Sequence, residues 1–226
     1  MADKQYNLGR IAAPDERDKA YPLRQLIPDV SKPTYKYWAR FRKILNQGQE
    51  STCVGFSWRY WLDTAPVISH KHKDNPSAGK IYDECTKVDE WPGNEGDRQF
   101  GTSVRAGAKV LQAMGHVVNY YWALTLDDVI DCLLLKSPIV VGTNWYNSMF
   151  EPDKEGIVTI KPDSFVAGGH AFLLDGVNTT KAFVSFPNSW GKSWGNNGRA
   201  KLSFEDLERL LGEAGEACCA QEARIV

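Results

Sequence analysis

Residues 45–58 read LNQGQESTCVGFSW, with Cys53 six positions after Gln47 and an apolar run directly behind it. Val54, Phe56, Trp58, Tyr60, Trp61 and Leu62 leave almost no polar face, the pattern of a helix buried between two layers, and Pro66 ends it. The spacing predicts a helix from 52 to about 65 with the thiol at its N-terminus. Unpaired backbone N–H groups and the positive end of the helix dipole favour a thiolate there, the form of cysteine that attacks carbonyl carbon. Gln47, in the turn before, is placed to donate a hydrogen bond from its side-chain amide to an oxyanion forming beside the sulfur. Such a site still needs a base and a group to orient it, and both must come from distant sequence.

Two downstream motifs offer them. Residues 168–171, GGHA, carry His170, and residues 187–198, PNSWGKSWGNNG, carry Asn188, Trp190 and Trp194. A cysteine at a helix start is usually inert, a GGH is usually a turn entering a strand, and an NSWG is usually a turn with an aromatic anchor. Their joint order Gln, Cys, His, Asn carries the argument. With motifs standing as NQGQESTCVGFS, GGHAFLLDG and NSWGKSWGNNG, the chain resembles the papain-like cysteine peptidases over residues 21–204.

The resemblance implies an α+β fold, a helical lobe and an antiparallel β-barrel lobe meeting at a cleft. It implies Cys53 as nucleophile, His170 as base, Asn188 orienting the imidazole, and Gln47 with the backbone N–H of Cys53 binding the oxyanion. It places Trp190 over the Asn–His hydrogen bond and Trp194 on the leaving-group side. Gly101 matches the glycine whose backbone pairs with substrate, although a plain turn glycine reads equally well. Gly142 and Ala171 fall in the wall of the main specificity pocket, where small residues suggest room for a bulky apolar side chain. Three positions depart from the family pattern: Val54 for the usual tryptophan, Glu50 for a disulfide cysteine, and Pro187 for a basic residue.

The rest of the chain suits that fold. Helices are expected from Ser77, from Thr102 or Ser103 to Gly115, from Thr125 with Asp128 to about 136, and from Ser203 with Asp206 to Gly212. Strands are expected at 138–143, 157–160, 170–177, 182–186, 199–203 and 217–226. Helices first and strands later are what an α+β chain requires. The division predicted is an arm over 1–43, a helical lobe over about 44–118 and a strand lobe over about 119–226. The polar arm reads as an extended or disordered segment, with packing against the body as the favoured arrangement and partial occlusion of the cleft as the less favoured one. Cys218 and Cys219 are adjacent on a strand, so at most one is expected in the core.

Composition narrows the partners. Twenty-seven Lys and Arg against 28 Asp and Glu give a net charge of −1, which offers no global field for nucleic acid or an anionic membrane. The basic and aromatic run at 35–43 could suit single-stranded nucleic acid, but Tyr37, Trp38 and Phe41 read better as anchors with solvated cations. His70 and His72 in a lysine-rich stretch read as a solvated loop rather than a metal site, and no cofactor is expected. Residues 1–10, MADKQYNLGR, have no apolar export segment, and five cysteines without paired spacing fit a reducing, cytoplasmic setting. The expected activity is endopeptidase cleavage of a peptide or protein through a thioester; a catalytically silent module binding peptide in the same cleft is the alternative.

Overall fold

The computed structural model describes residues 6–40, 43–67 and 74–223. Phe41, His70 and His72 lie outside the described residues.

Among the described residues five α-helices form where apolar spacing and caps agree: α1 (Cys53–Leu62), α2 (Ala78–Cys85), α3 (Val104–Ala113), α4 (Leu126–Leu135) and α5 (Phe204–Gly212). Ser77, Ser103, Thr125 and Ser203 each accept a backbone N–H with the side chain, and Thr125 with Asp128 completes a capping box. Nine strands follow: β1 (Tyr35–Tyr37), β2 (Val117–Trp122), β3 (Ile139–Tyr146), β4 (Ile157–Val158), β5 (Val166–Leu174), β6 (Gly176–Asn178), β7 (Phe183–Pro187), β8 (Arg199–Ser203) and β9 (Glu216–Glu222). They make two sheets, ordered β2-β9-β3-β5 and β1-β6-β7-β8-β4, antiparallel except for the β4–β8 pair. The described strands form these two open sheets rather than a closed barrel.

The first sheet is covered on both faces. Val140, Ala171, Leu173 and Cys218 pack toward α1 and α3, while Ile139, Val141, Phe172, Leu174 and Cys219 face the second sheet, α4 and α5. Alternation along each strand therefore feeds two cores. This corrects the expectation for Cys218 and Cys219: both are fully buried, one in each core. All five cysteines are free thiols.

Two further differences concern the N-terminal segment and the edges. Residues 16–20 and 23–26 form short 3-10 helices, and the buried Leu23 ties them to the second core. Strands β1 and β2, absent from the sequence reading, are short edge elements that carry weak patterns of their own; β1 leaves Tyr35 and Tyr37 exposed. Of the two expected anchors that are described, Tyr37 is exposed and Trp38 is fixed, its indole N–H donating to Leu133 O at 2.8 Å.

Candidate active site

Helix α1 begins at Cys53 and lies against β5, which carries His170 and Ala171. Thr52 makes no side-chain cap bond, so no hydroxyl competes for the first-turn N–H groups. The backbone N–H groups of Ala171 and Val54 face the Cys53 sulfur and favour its anion. His170 Nε2 is 2.8 Å from Asn188 Oδ1, and the Ser189 N–H donates to the same Oδ1 at 2.8 Å. An atom that accepts from a backbone N–H is the amide oxygen, so Nε2 holds the proton and Nδ1 is left as the basic nitrogen. Nδ1 is buried and has no hydrogen-bond partner. Trp190 stacks on the imidazole at 4.7 Å, and Trp145 meets it edge-on at 4.9 Å.

The distant motifs are clasped by backbone pairing. Gln47 N–H donates to Ser189 O at 2.8 Å and Gly191 N–H to Leu45 O at 3.0 Å, so 45–47 and 189–191 form one antiparallel bridge. Tyr60 ties that bridge to α1, its hydroxyl accepting from Leu45 N–H and donating to Asn188 O. Ser189 Oγ donates to Gln47 Oε1 at 2.6 Å, which fixes the amide so that its NH2 group donates to Glu50 O at 2.6 Å and keeps a second N–H for the site.

Comparison with known proteins shows the family and the fold. The family model described as papain family cysteine protease matches residues 46–215. The chain belongs to the papain family of cysteine proteases. An uncharacterized peptidase C1-like protein of Acanthamoeba polyphaga mimivirus is 24% identical, over 71% of this chain, which spans 64% of that relative's length. Xylellain, a cysteine protease from Xylella fastidiosa, superposes with a TM-score of 0.76 at 17% identity, over 99% of this chain and 100% of its own. Digestive procathepsin L2 of Tenebrio molitor gives 0.65 at 17% identity, over 96% of this chain and 78% of its own. At such identities the likeness concerns the papain fold.

In this family member the groove is filled by its own arm. Residues 6–11 run between the two halves of the site. Tyr6 stacks on Trp190 at 4.8 Å, and Asn7 O accepts from Gln47 Nε2 and from Trp190 Nε1, each at 3.2 Å. Gly9 and Arg10 N–H both donate to Gly169 O at 2.9 Å; on the other side Thr102 N–H donates to Gly9 O and Ile11 N–H to Thr102 O, again at 2.9 Å. The arm is thus an extended segment laid between Gly169 and Thr102, bridged in parallel to the latter at Arg10. Cys53 and His170 are wholly buried beneath it. Burial pushes the Cys53 thiol up to about 12, against the pull of the Ala171 and Val54 amides, and pushes the imidazole down to about 4 despite the Asn188 bond. Both shifts favour a neutral thiol and a neutral ring.

Several expected residues change position or role. Thr102, one residue after Gly101, does the backbone pairing; Gly101 N–H is held by the Tyr82 hydroxyl at 2.9 Å. A Cβ on Gly101 would lie 2.5 Å from Gly9 O, so the glycine permits the close approach rather than making the bonds. Trp194 packs beneath Trp190 in the core and donates to Phe150 O at 2.8 Å; it does not line the groove. Gly142 stands opposite Ala171 on β5 and Glu216 on β9. The slot over Gly142 contains a guanidinium facing a carboxylate, Arg10 with Glu216, where an apolar occupant was expected. Glu50, where the resemblance led one to expect a disulfide cysteine, pairs with Arg98, which also holds Asp83 of α2. Asn7, Arg10 and Glu216 carried no motif of their own, while Ser189 stood within the NSWG motif and Thr102 beside the helix cap without being read as site residues.

Proposed function

We propose that this protein is a cysteine endopeptidase whose groove is closed by its own N-terminal arm. The observation that carries the reading is the 2.8 Å His170 Nε2–Asn188 Oδ1 contact on the strand whose next residue, Ala171, aims its N–H at Cys53. With Nε2 committed to Asn188, Nδ1 takes the Cys53 proton, and the sulfur attacks the peptide carbonyl carbon to form a C–S bond. The carbonyl oxygen, now anionic, is held by Gln47 Nε2 and the Cys53 N–H. The C–N bond then breaks as the imidazolium returns its proton to the leaving amine. A water, deprotonated by Nδ1, cleaves the thioester and releases the acid, and the thiol regains its proton.

The arm supports a closed resting state. The carbonyl of Asn7 occupies the Gln47 amide where the oxyanion would be received, and no peptide reaches a sulfur that is wholly buried. Arm displacement precedes catalysis. Because complete burial also fits a module that only holds a peptide in this groove, the deciding experiment measures turnover. Full-length protein incubated with a fluorogenic peptide library is expected to cleave internal bonds, and Cys53→Ala and His170→Ala are each expected to abolish this with the fold retained. Asn188→Ala is expected to lose less, since it orients the base without exchanging protons. Turnover surviving in Cys53→Ala refutes the mechanism. Five free thiols fit a reducing, cytoplasmic setting for this enzyme.

A further inference from the structure

Arg10 is the most deeply buried residue of segment 6–11. Its side chain is 2% exposed, its Nε lies 3.0 Å from Glu216 Oε1, and its Nη2 donates to Ala214 O at 2.6 Å. The slot that receives it exists because Gly142 has no side chain: a Cβ there would meet Arg10 Nε at 2.9 Å and Val104 Cγ2 at 2.7 Å. Glu216, on β9 directly opposite Gly142, is 12% exposed and forms its described ion pair with Arg10. The slot adjoins the nucleophile, since the Arg10 charge lowers the proton affinity of Cys53 and Gly169, one residue from His170, touches the Arg10 backbone. Both partners of the ion pair lie outside the residues that match the family model, 46–215.

We infer that Glu216, with the Ala214 carbonyl, forms an acidic subsite selecting an arginine side chain of the substrate, and that Arg10 occupies it as a resident stand-in. This rests on the peptidase reading above. When the arm leaves, Glu216, in a slot with Gly142 at its base, loses the guanidinium that paired with it and keeps only the longer-range charge of Arg105. A buried carboxylate without a counter-charge is costly, so an entering guanidinium restores what the arm supplied. Apolar side chains leave the carboxylate unpaired. Lysine reaches the carboxylate but lacks a second fixed nitrogen for Ala214 O, so arginine is taken ahead of it. The arm and the substrate compete for one charge.

The test uses the full chain carrying Gly9→Ala and Arg10→Ala, so that its own arm neither seats nor fills the slot. Peptides scanned with Arg, Lys, Gln or Leu at each of three positions on either side of the scissile bond are compared by kcat/KM. At one position Arg is expected to exceed Leu by about thirtyfold or more, with Lys between them, and Glu216→Gln is expected to erase the difference. A second readout needs no turnover: with Cys53→Ala added, the free peptide YNLGRIAA is titrated against its Arg→Leu version by calorimetry. The arginine peptide is expected to bind at least thirtyfold tighter, and equally weakly after Glu216→Gln. Binding that depends on arginine without cleavage of any peptide upholds the subsite and refutes the peptidase. Cleavage without an arginine preference, or equal or absent binding of both peptides, overturns the subsite. Should the double variant not fold, Glu216→Gln in the otherwise unaltered chain is expected to speed alkylation of Cys53 by loosening the arm, and an unchanged rate overturns the inference.

Discussion

Replacing Gly9 by alanine tests arm closure with a single methyl group. The Cβ would lie 2.0 Å from Ser51 O, a backbone atom that has no side-chain torsion by which to yield. An ordinary carbon–oxygen contact needs about 3.3 Å, so the arm must retreat by roughly 1 Å or more. Four backbone hydrogen bonds of 2.9 Å hold it: two to Gly169 O, one from Thr102 N–H and one to Thr102 O. A shift of that size carries them beyond bonding distance, and at about 1 kcal/mol net each the docked state loses about 4 kcal/mol. The docked-to-displaced ratio then falls roughly a thousandfold, since 1.4 kcal/mol is a factor of ten. Iodoacetamide labelling of Cys53 at pH 7, located by peptide mass, reads the displaced fraction because the thiol reacts only when uncovered. The rate is expected to rise by up to roughly a thousandfold, levelling off when most molecules are open. An unchanged rate in a folded Gly9→Ala protein would falsify closure by the arm.

Acid is expected to open the arm. His170 titrates near 4 under the arm, and a hydrated ring returns toward its ordinary value of about 6.5. Between those values the displaced state binds more protons, so docking weakens as pH falls from about 6.5 to about 4 and is insensitive to this group above that window. Glu216 acts in the opposite direction, because burial raises its proton affinity in the docked state against the pull of Arg10, so its titration offsets part of the His170 effect. Unstacking of Tyr6 from Trp190 makes intrinsic fluorescence the measurement, and a flat signal from pH 7 to 4 rejects the coupling. Away from the site, Asp175→Asn is expected to cost about 3 kcal/mol, since Asp175 is 1% exposed and bound by both terminal nitrogens of Arg199 at 2.8 and 2.6 Å. Urea unfolding should show a lower midpoint at unchanged slope, with Cys53 labelling unaffected.

The helices, the capping residues and the site of the thiol were legible in the sequence because each rests on interactions within a few positions. Ser77, Ser103, Thr125 and Ser203 cap helices whose apolar spacing is local, and Cys53 begins α1 where the pattern around 45–58 puts it. The grouping of Gln47, Cys53, His170 and Asn188 was expected for a different reason, the resemblance of their motifs to a family; the backbone clasp between 45–47 and 189–191 had no sequence signal of its own. Edge strands β1 and β2 escaped because an edge strand buries too little to impose alternation. Cys218 and Cys219 were read as one-sided because period 2 tells which face a residue takes and not whether that face is covered.

By itself the sequence determined an α+β chain of the papain family, the helix that presents Cys53, and the order of the groups that surround it. Tertiary structure alone decided what fills the groove and with what charge. Arg10 and Glu216 stand at opposite ends of the chain, and neither has a neighbour in sequence that marks it; only the pairing of β9 with β3 sets Glu216 opposite Gly142, and only the hydrogen bonds of Gly9 to Gly169 and Thr102 bring Arg10 there. An ion pair depends on distance in space, which chain separation does not encode, so a slot that small residues marked as apolar is acidic once the last strand is in place.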